Sequence, residues 1–276
     1  MEKFLELNIV VQTLILASIT CGLTMLGASM VFFFKKVNKK IINIMLSLSA
    51  GIMLASAFFS LLLPSIEQSE NVFGNKYVLP SIGFFAGGVF VILVDIFLEK
   101  VTKNNKKLSF LEKKRQFLLV SAITFHNIPE GMCVGVAVAC ASLGSTNGIM
   151  SAVMLALGIG IQNFPEGASV SLPLRSEGTS RIKSFMWGSL SGVVEPVFAV
   201  IACLTAGVSS IIMPLLLALS SGAMISVACT ELICESAKDN KNLTTLFVIL
   251  GFVIMMMLDL ALWYLIEIKR LVVALK

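Results

Sequence analysis

Apolar residues run along this chain in blocks of about 20 or more, each long enough to cross a ~30 Å hydrocarbon core as a helix. The breaks between blocks predict eight helices, at roughly 8–34, 41–66, 80–99, 116–141, 147–173, 182–207, 212–235 and 243–268. Polar residues collect in the connections. One of these, about 100–115, is Lys-rich with Asn104 and Asn105 and reads as a cytoplasmic basic loop. The first block is too long in its apolar core for a secretory leader and is expected to be retained. The expected fold is an all-α membrane protein, with residues 1–276 forming a single transmembrane domain.

Composition narrows this further. Hydrophobic residues make up 57% of the 276 and charged residues 13%, against about 25% charged in soluble domains. That leaves no room for a sizeable soluble domain. Charge placement then suggests an orientation. Lys35, Lys36, Lys39 and Lys40 follow helix 1, and Lys100, Lys103, Lys106, Lys107, Lys113, Lys114 and Arg115 lie between helices 3 and 4. Arg175, Arg181 and Lys183 lie between helices 5 and 6, and Lys238 and Lys241 between 7 and 8; the intervening loops hold Lys76 alone. Lys and Arg mark cytoplasmic loops, so both termini are expected on the extracytoplasmic side, although Lys269, Arg270 and Lys276 run against this. The net charge of +5 then reflects topology and contact with anionic lipid rather than nucleic acid. Short loops fit a bacterial inner membrane. Six cysteines lie in or beside helices with no C-x-x-C pair, which reads as buried free thiols.

A few polar residues interrupt the blocks, and they form a pattern. His126-Asn127-Ile128-Pro129-Glu130-Gly131 in helix 4 returns 36 residues later as Gln162-Asn163-Phe164-Pro165-Glu166-Gly167 in helix 5. Each phrase sets a coordinating side chain four residues before a glutamate, on one helix face. Pro129 cannot donate to the carbonyl of Phe125, nor Pro165 to that of Ile161, so each frees a backbone oxygen in mid-helix. Helices 4 and 5 run antiparallel through a short connection, so the phrases can meet at one depth. Helix 6 adds Glu195, followed by Pro196. Each mid-membrane carboxylate costs about 2.5–3.5 kcal/mol on insertion scales, and three together repel one another. A divalent cation relieves both problems, and its binding is expected to displace protons. A nitrogen, carboxylates and amide oxygens suit such an ion.

Taken singly, Glu195 could be a hydrogen-bonding helix residue and His126 a packing residue; the matched phrases favour an ion site. Two other readings use the same groups. A proton-coupled carrier of organic cations could employ the carboxylates, but has no need for the repeated phrase. An intramembrane metalloenzyme of the H-E-x-x-H type needs two histidines, and the chain has one.

At these residues the chain resembles the ZIP (Zrt/Irt-like) family of divalent-metal transporters. The likeness extends over nearly the whole length, and Ser49-Ala50-Gly51-Ile52-Met53-Leu54-Ala55 in helix 2, with Gln162, looks most like the bacterial GufA-type branch. The resemblance implies a ZIP-like helix bundle with an inverted repeat, an elevator-like movement, and transport of Zn²⁺ and related Fe²⁺, Cd²⁺, Mn²⁺ and Co²⁺ into the cytoplasm. It implies two metal positions. The first is held by His126, Glu130, Gln162 and Glu166, with the Met53 sulfur as a further ligand. The second lies among Asn127, Glu130, Asn163, Glu166 and Glu195. The chain departs from many members by having Gln162 in place of a histidine and, relative to some, Asn163 in place of an aspartate. The first position is therefore expected to be primary. The metal is bound as substrate, and no organic cofactor is expected.

Three further features remain open at the level of sequence. Asp95, Glu231 and Glu235 could form an acidic exit path, or pair with Lys100 and Lys238. Asp259, near the middle of helix 8, could bond another helix or carry a proton. Gly83 and Gly87 could form a homodimer surface or serve internal packing.

Overall fold

A computed structural model describes residue 4 and residues 6–34, 38–104, 111–142, 146–205 and 209–274. The side chain of His126 lies outside the described residues, as does 105–110, the middle of the basic loop.

Eight helical rods run through the described residues, and no strand occurs among them. Helix α1 (Ile9–Ala28) starts where the Asn8 side chain accepts a hydrogen bond from the Val10 N–H, and it tightens into a 3₁₀ turn at Ser29–Phe32. Rod α2 comprises Lys39–Ser56, a π segment at Ala57–Leu62 and Leu63–Phe73. Asn38 caps its start, and Gly74 ends it at φ 63°, a left-handed position that suits glycine. Helices α3 (Val78–Asn104), α4 (Leu111–Ser142), α5 (Thr146–Ser176) and α6 (Arg181–Thr205) follow. After α5 the amides of Gly178 and Thr179 return to the carbonyls of Arg175 and Leu174, with Gly178 at φ 94°. Rod α7 comprises Ser209–Val227, a second π segment at Ala228–Ile233 and Cys234–Ser236; α8 is Lys241–Ala274.

Six helices among the described residues are long and apolar enough to cross a membrane: Ile9–Phe32, Lys39–Glu70, Val78–Phe97, Arg181–Thr205, Pro214–Ser236 and Lys241–Ala261. Helices α4 and α5, which carry the repeated phrase, are not among the six. The expected number and order of helices hold; the largest difference is at α2, expected to stop near 66. Residues 64–70 are polar enough to look like a loop, yet the helix continues to the first residue able to adopt the terminating conformation.

Packing is intimate where glycine lets backbones touch. A Cβ on Gly131 of α4 would strike the Glu195 carbonyl of α6, and one on Gly167 of α5 the Thr24 carbonyl of α1. Gly51 of α2 and Gly251 of α8 meet the Val248 and Leu48 carbonyls in turn, and Gly222 of α7 and Gly87 of α3 meet those of Phe84 and Leu219. Gly83 lies against Ala218 and Leu215 of α7. Gly83 and Gly87 therefore serve packing within the chain. The opposite side of α3 is open and apolar, with Phe85 73% exposed and Phe97 64%, as a lipid-facing surface requires.

The helix contacts come in matching pairs: α1 on α5 and α4 on α6; α2 on α8 and α3 on α7. Corresponding residues on α1 and α6, and on α2 and α7, keep one spacing, while Gly87 of α3 and Gly251 of α8 are 164 positions apart. Thr24 and Glu195 are 171 positions apart, as are Ala57 and Ala228, where the two π segments begin.

Candidate metal centre

Helices α4 and α5 pass close to one another and to α1 and α6, and each carries its phrase through an internal proline without breaking: Pro129 in α4, Pro165 in α5 and Pro196 in α6. The small residues described above bring the backbones near enough for short polar side chains to reach across.

Asn127, Glu130, Gln162, Asn163, Glu166, Glu195 and Met53 are all buried, none more than 1% exposed. Two linked groups emerge. In the first, the Gln162 amide Nε2 donates to Glu130 Oε1 at 2.8 Å. The same nitrogen lies 3.7 Å from the sulfur of Met224 on α7. In the second, Asn163 Nδ2 donates to Glu195 Oε2 at 2.8 Å, and the Thr24 hydroxyl of α1 approaches Glu195 Oε1 at 3.3 Å. Glu166 is close enough to Glu195 to act on it electrostatically. Asn127 Nδ2 donates to the Ser191 carbonyl of α6 at 3.0 Å, which aims its oxygen the other way.

The amide oxygens are the informative atoms. Asn127 Oδ1, Gln162 Oε1 and Asn163 Oδ1 are buried and make no hydrogen bond among the described residues. A buried acceptor left unsatisfied costs about 1–3 kcal/mol, so three in adjoining motifs form a costly arrangement that a cation would relieve. Carboxylate, amide oxygen and thioether donors together fit a divalent metal of intermediate softness. Among the described residues no cluster of three His, Cys, Asp or Glu side chains is tight enough to hold an ion.

Other polar residues fall away from this centre. Asp259 Oδ1 accepts a 2.7 Å hydrogen bond from Ser60 in the π segment of α2, so it does bond another helix. Glu235 pairs with Lys238 at 2.6 Å. Glu231 lies in the π segment of α7, and Asp95 in α3.

Met224 and Thr24 were not among the expected site residues. A signal for Met224 was present: Ser49-Ala50-Gly51-Ile52-Met53 of α2 returns in α7 as Ser220-Ser221-Gly222-Ala223-Met224. Each segment precedes a π segment, and the Ser221 hydroxyl donates to the Ala57 carbonyl at 2.8 Å, so the two copies touch where the helices widen.

Comparison with known proteins places these features in a family. The model of the family described as "ZIP Zinc transporter" matches residues 108–259. The chain is 32% identical to "Zinc transporter ZIP11" of Xenopus tropicalis, covering 92% of this chain and 98% of the relative. It is 33% identical to "Zinc transporter GufA" of Myxococcus xanthus over 90% and 98%, and 30% identical to "Zinc transporter ZIPB" of Bordetella bronchiseptica over 87% and 77%.

Proposed function

This chain belongs to the ZIP zinc transporter family, and from that premise we propose that its divalent metal substrate is held, mid-membrane, between α4 and α5. The chain is a multi-pass membrane transporter of divalent metal and not an enzyme. The observation that supports the site is the set of three buried amide oxygens without partners among the described residues, beside the Glu130–Gln162 and Glu195–Asn163 pairs.

We infer a primary position at Glu130, Gln162 and Glu166, completed by His126 and Met53. A weaker one lies among Asn127, Asn163 and Glu195, with Glu130 and Glu166 shared. Zn²⁺ leads the substrates, with Fe²⁺, Cd²⁺, Mn²⁺ and Co²⁺ behind it, and transport runs into the cytoplasm. Both termini face outward, in a bacterial inner membrane. Asp95, Glu231 and Glu235 line the cytoplasmic route out, where Glu235 can exchange its Lys238 partner for a passing cation. The bundle is an inverted repeat that relates α1–α3 to α6–α8 and α4 to α5. Its support is the 171-residue spacing between α1 and α6 and between α2 and α7 and the paired glycine contacts, in which Gly51 and Gly222, like Gly131 and Gly167, play equivalent parts.

The test is uptake of radiolabelled zinc by liposomes carrying the purified protein. Saturable uptake is expected, and its loss in both Glu130→Ala and Glu166→Ala. Undiminished flux in both variants would refute the site, and flux of organic cations without zinc dependence would favour a proton-coupled carrier instead.

A further inference from the structure

Oxygen donors account for one side of the Glu130–Gln162 pair. Sulfur also approaches it, from Met224. Met53 of α2, Cys133 of α4 and Met224 of α7 belong to one packed cluster, and none is more than 1% exposed. The Cys133 thiol is engaged with the Ser220 hydroxyl at 3.6 Å. Met224 is placed differently. Its sulfur lies 3.7 Å from Gln162 Nε2, the nitrogen that also donates to Glu130 Oε1. Thioether and carboxylate thus flank one amide group, whose own oxygen is buried without a partner among the described residues. Met224 also holds the place in α7 that Met53 holds in α2. Each is the last residue of its Ser-x-Gly-x-Met segment and stands four positions before a π segment, at Ala57 or Ala228.

We propose that Met224 is a metal ligand, its thioether pairing with that of Met53 so that the primary site receives two sulfur donors from the two related helices. The inference rests on the metal-site reading above and adds a basis for selectivity. Neutral thioethers are soft ligands: they favour Cd²⁺ and Zn²⁺ and contribute little to Mn²⁺, which prefers oxygen. A pair of them biases the site toward the softer ions without adding charge. Packing alone would place no such demand, because Leu and Met exchange in a core at small cost.

The experiment compares inhibition of radiolabelled zinc uptake by Cd²⁺ and by Mn²⁺ in liposomes containing the full chain or its Met224→Leu variant. The variant is expected to lose preference for Cd²⁺ over Mn²⁺ by roughly tenfold, the loss of about one favourable contact. An unchanged preference, with uptake still dependent on Glu130, would overturn the proposal. X-ray absorption at the cadmium edge on the unsubstituted, Cd²⁺-loaded protein gives a readout that does not depend on the variant folding. Two sulfur neighbours are expected, and one or none would also overturn it. Uptake that survives Glu130→Gln would instead remove the metal-site reading itself.

Discussion

Thr24 and Glu195 occupy equivalent places on α1 and α6. They stand 171 positions apart, and the backbone carbonyl of each is pressed against the glycine of one paired phrase, Gly167 or Gly131. Yet one side chain is a hydroxyl and the other an acid, and the first bonds the second at 3.3 Å. The same contrast recurs away from the centre. Ser60 and Asp259 bond one another between α2 and α8; Glu231 stands 171 positions on from Ser60, whereas Asp95, 164 positions before Asp259, keeps the acid. The glycine contacts match on the two sides and the charges match only in part. A symmetrical frame fixes where helices can approach; unequal substitution within it decides where a cation gains most.

The largest effect is expected from the shared acids: Glu130→Gln or Glu166→Gln should lower zinc uptake by about a hundredfold or more, since loss even of outer metal partners costs 10–100-fold. Saturation kinetics in liposomes measure it. If the frame is as tight as the glycines imply, Gly131→Ala should cost about 1–3 kcal/mol by overpacking, because its new methyl meets backbone. Gly22→Ala, with open space around it, should stay within about 0.5 kcal/mol. Thermal unfolding in detergent separates the two, and equal shifts would break the packing argument.

Glu195→Thr makes the two sides alike. Metal affinity is expected to fall about tenfold, the scale of one lost charge-assisted contact; adding Thr24→Glu should recover part of it if the frame is symmetrical. Binding calorimetry decides between recovery and a further fall. The smallest change is Thr24→Val, which removes the hydroxyl that steadies Glu195. It should cost a few-fold in affinity, about 0.5–1.5 kcal/mol, with Thr24→Ser restoring it. No recovery by serine would mean the methyl group, not the hydroxyl, matters.

Much of this was legible in the residues themselves, for physical reasons. A membrane helix must keep about 20 residues apolar, so eight blocks could be counted, and polar residues inside them stood out. Asn127, Glu130, Gln162, Asn163, Glu166 and Glu195 stand out because lipid makes each one expensive, and all six are buried. The end of α2 at Phe73 was not legible, because outside the hydrocarbon zone a polar stretch such as 64–70 can be loop or helix, and only the Gly74 turn decides. The π segments left no mark, since one extra residue in a turn changes no composition. Met224 does not stand out in the sequence, because a methionine in an apolar helix resembles its neighbours; only its spacing from Met53, and its sulfur beside Gln162, set it apart.

The central claim is that donors from α4 and α5 converge on one cation. The most direct measurement is anomalous X-ray scattering from crystals of the zinc-loaded protein. A peak is expected between the two phrases, in contact with Glu130, Gln162 and Glu166. A fully loaded protein whose zinc lies only elsewhere, with Gln162 still donating to Glu130, would contradict it.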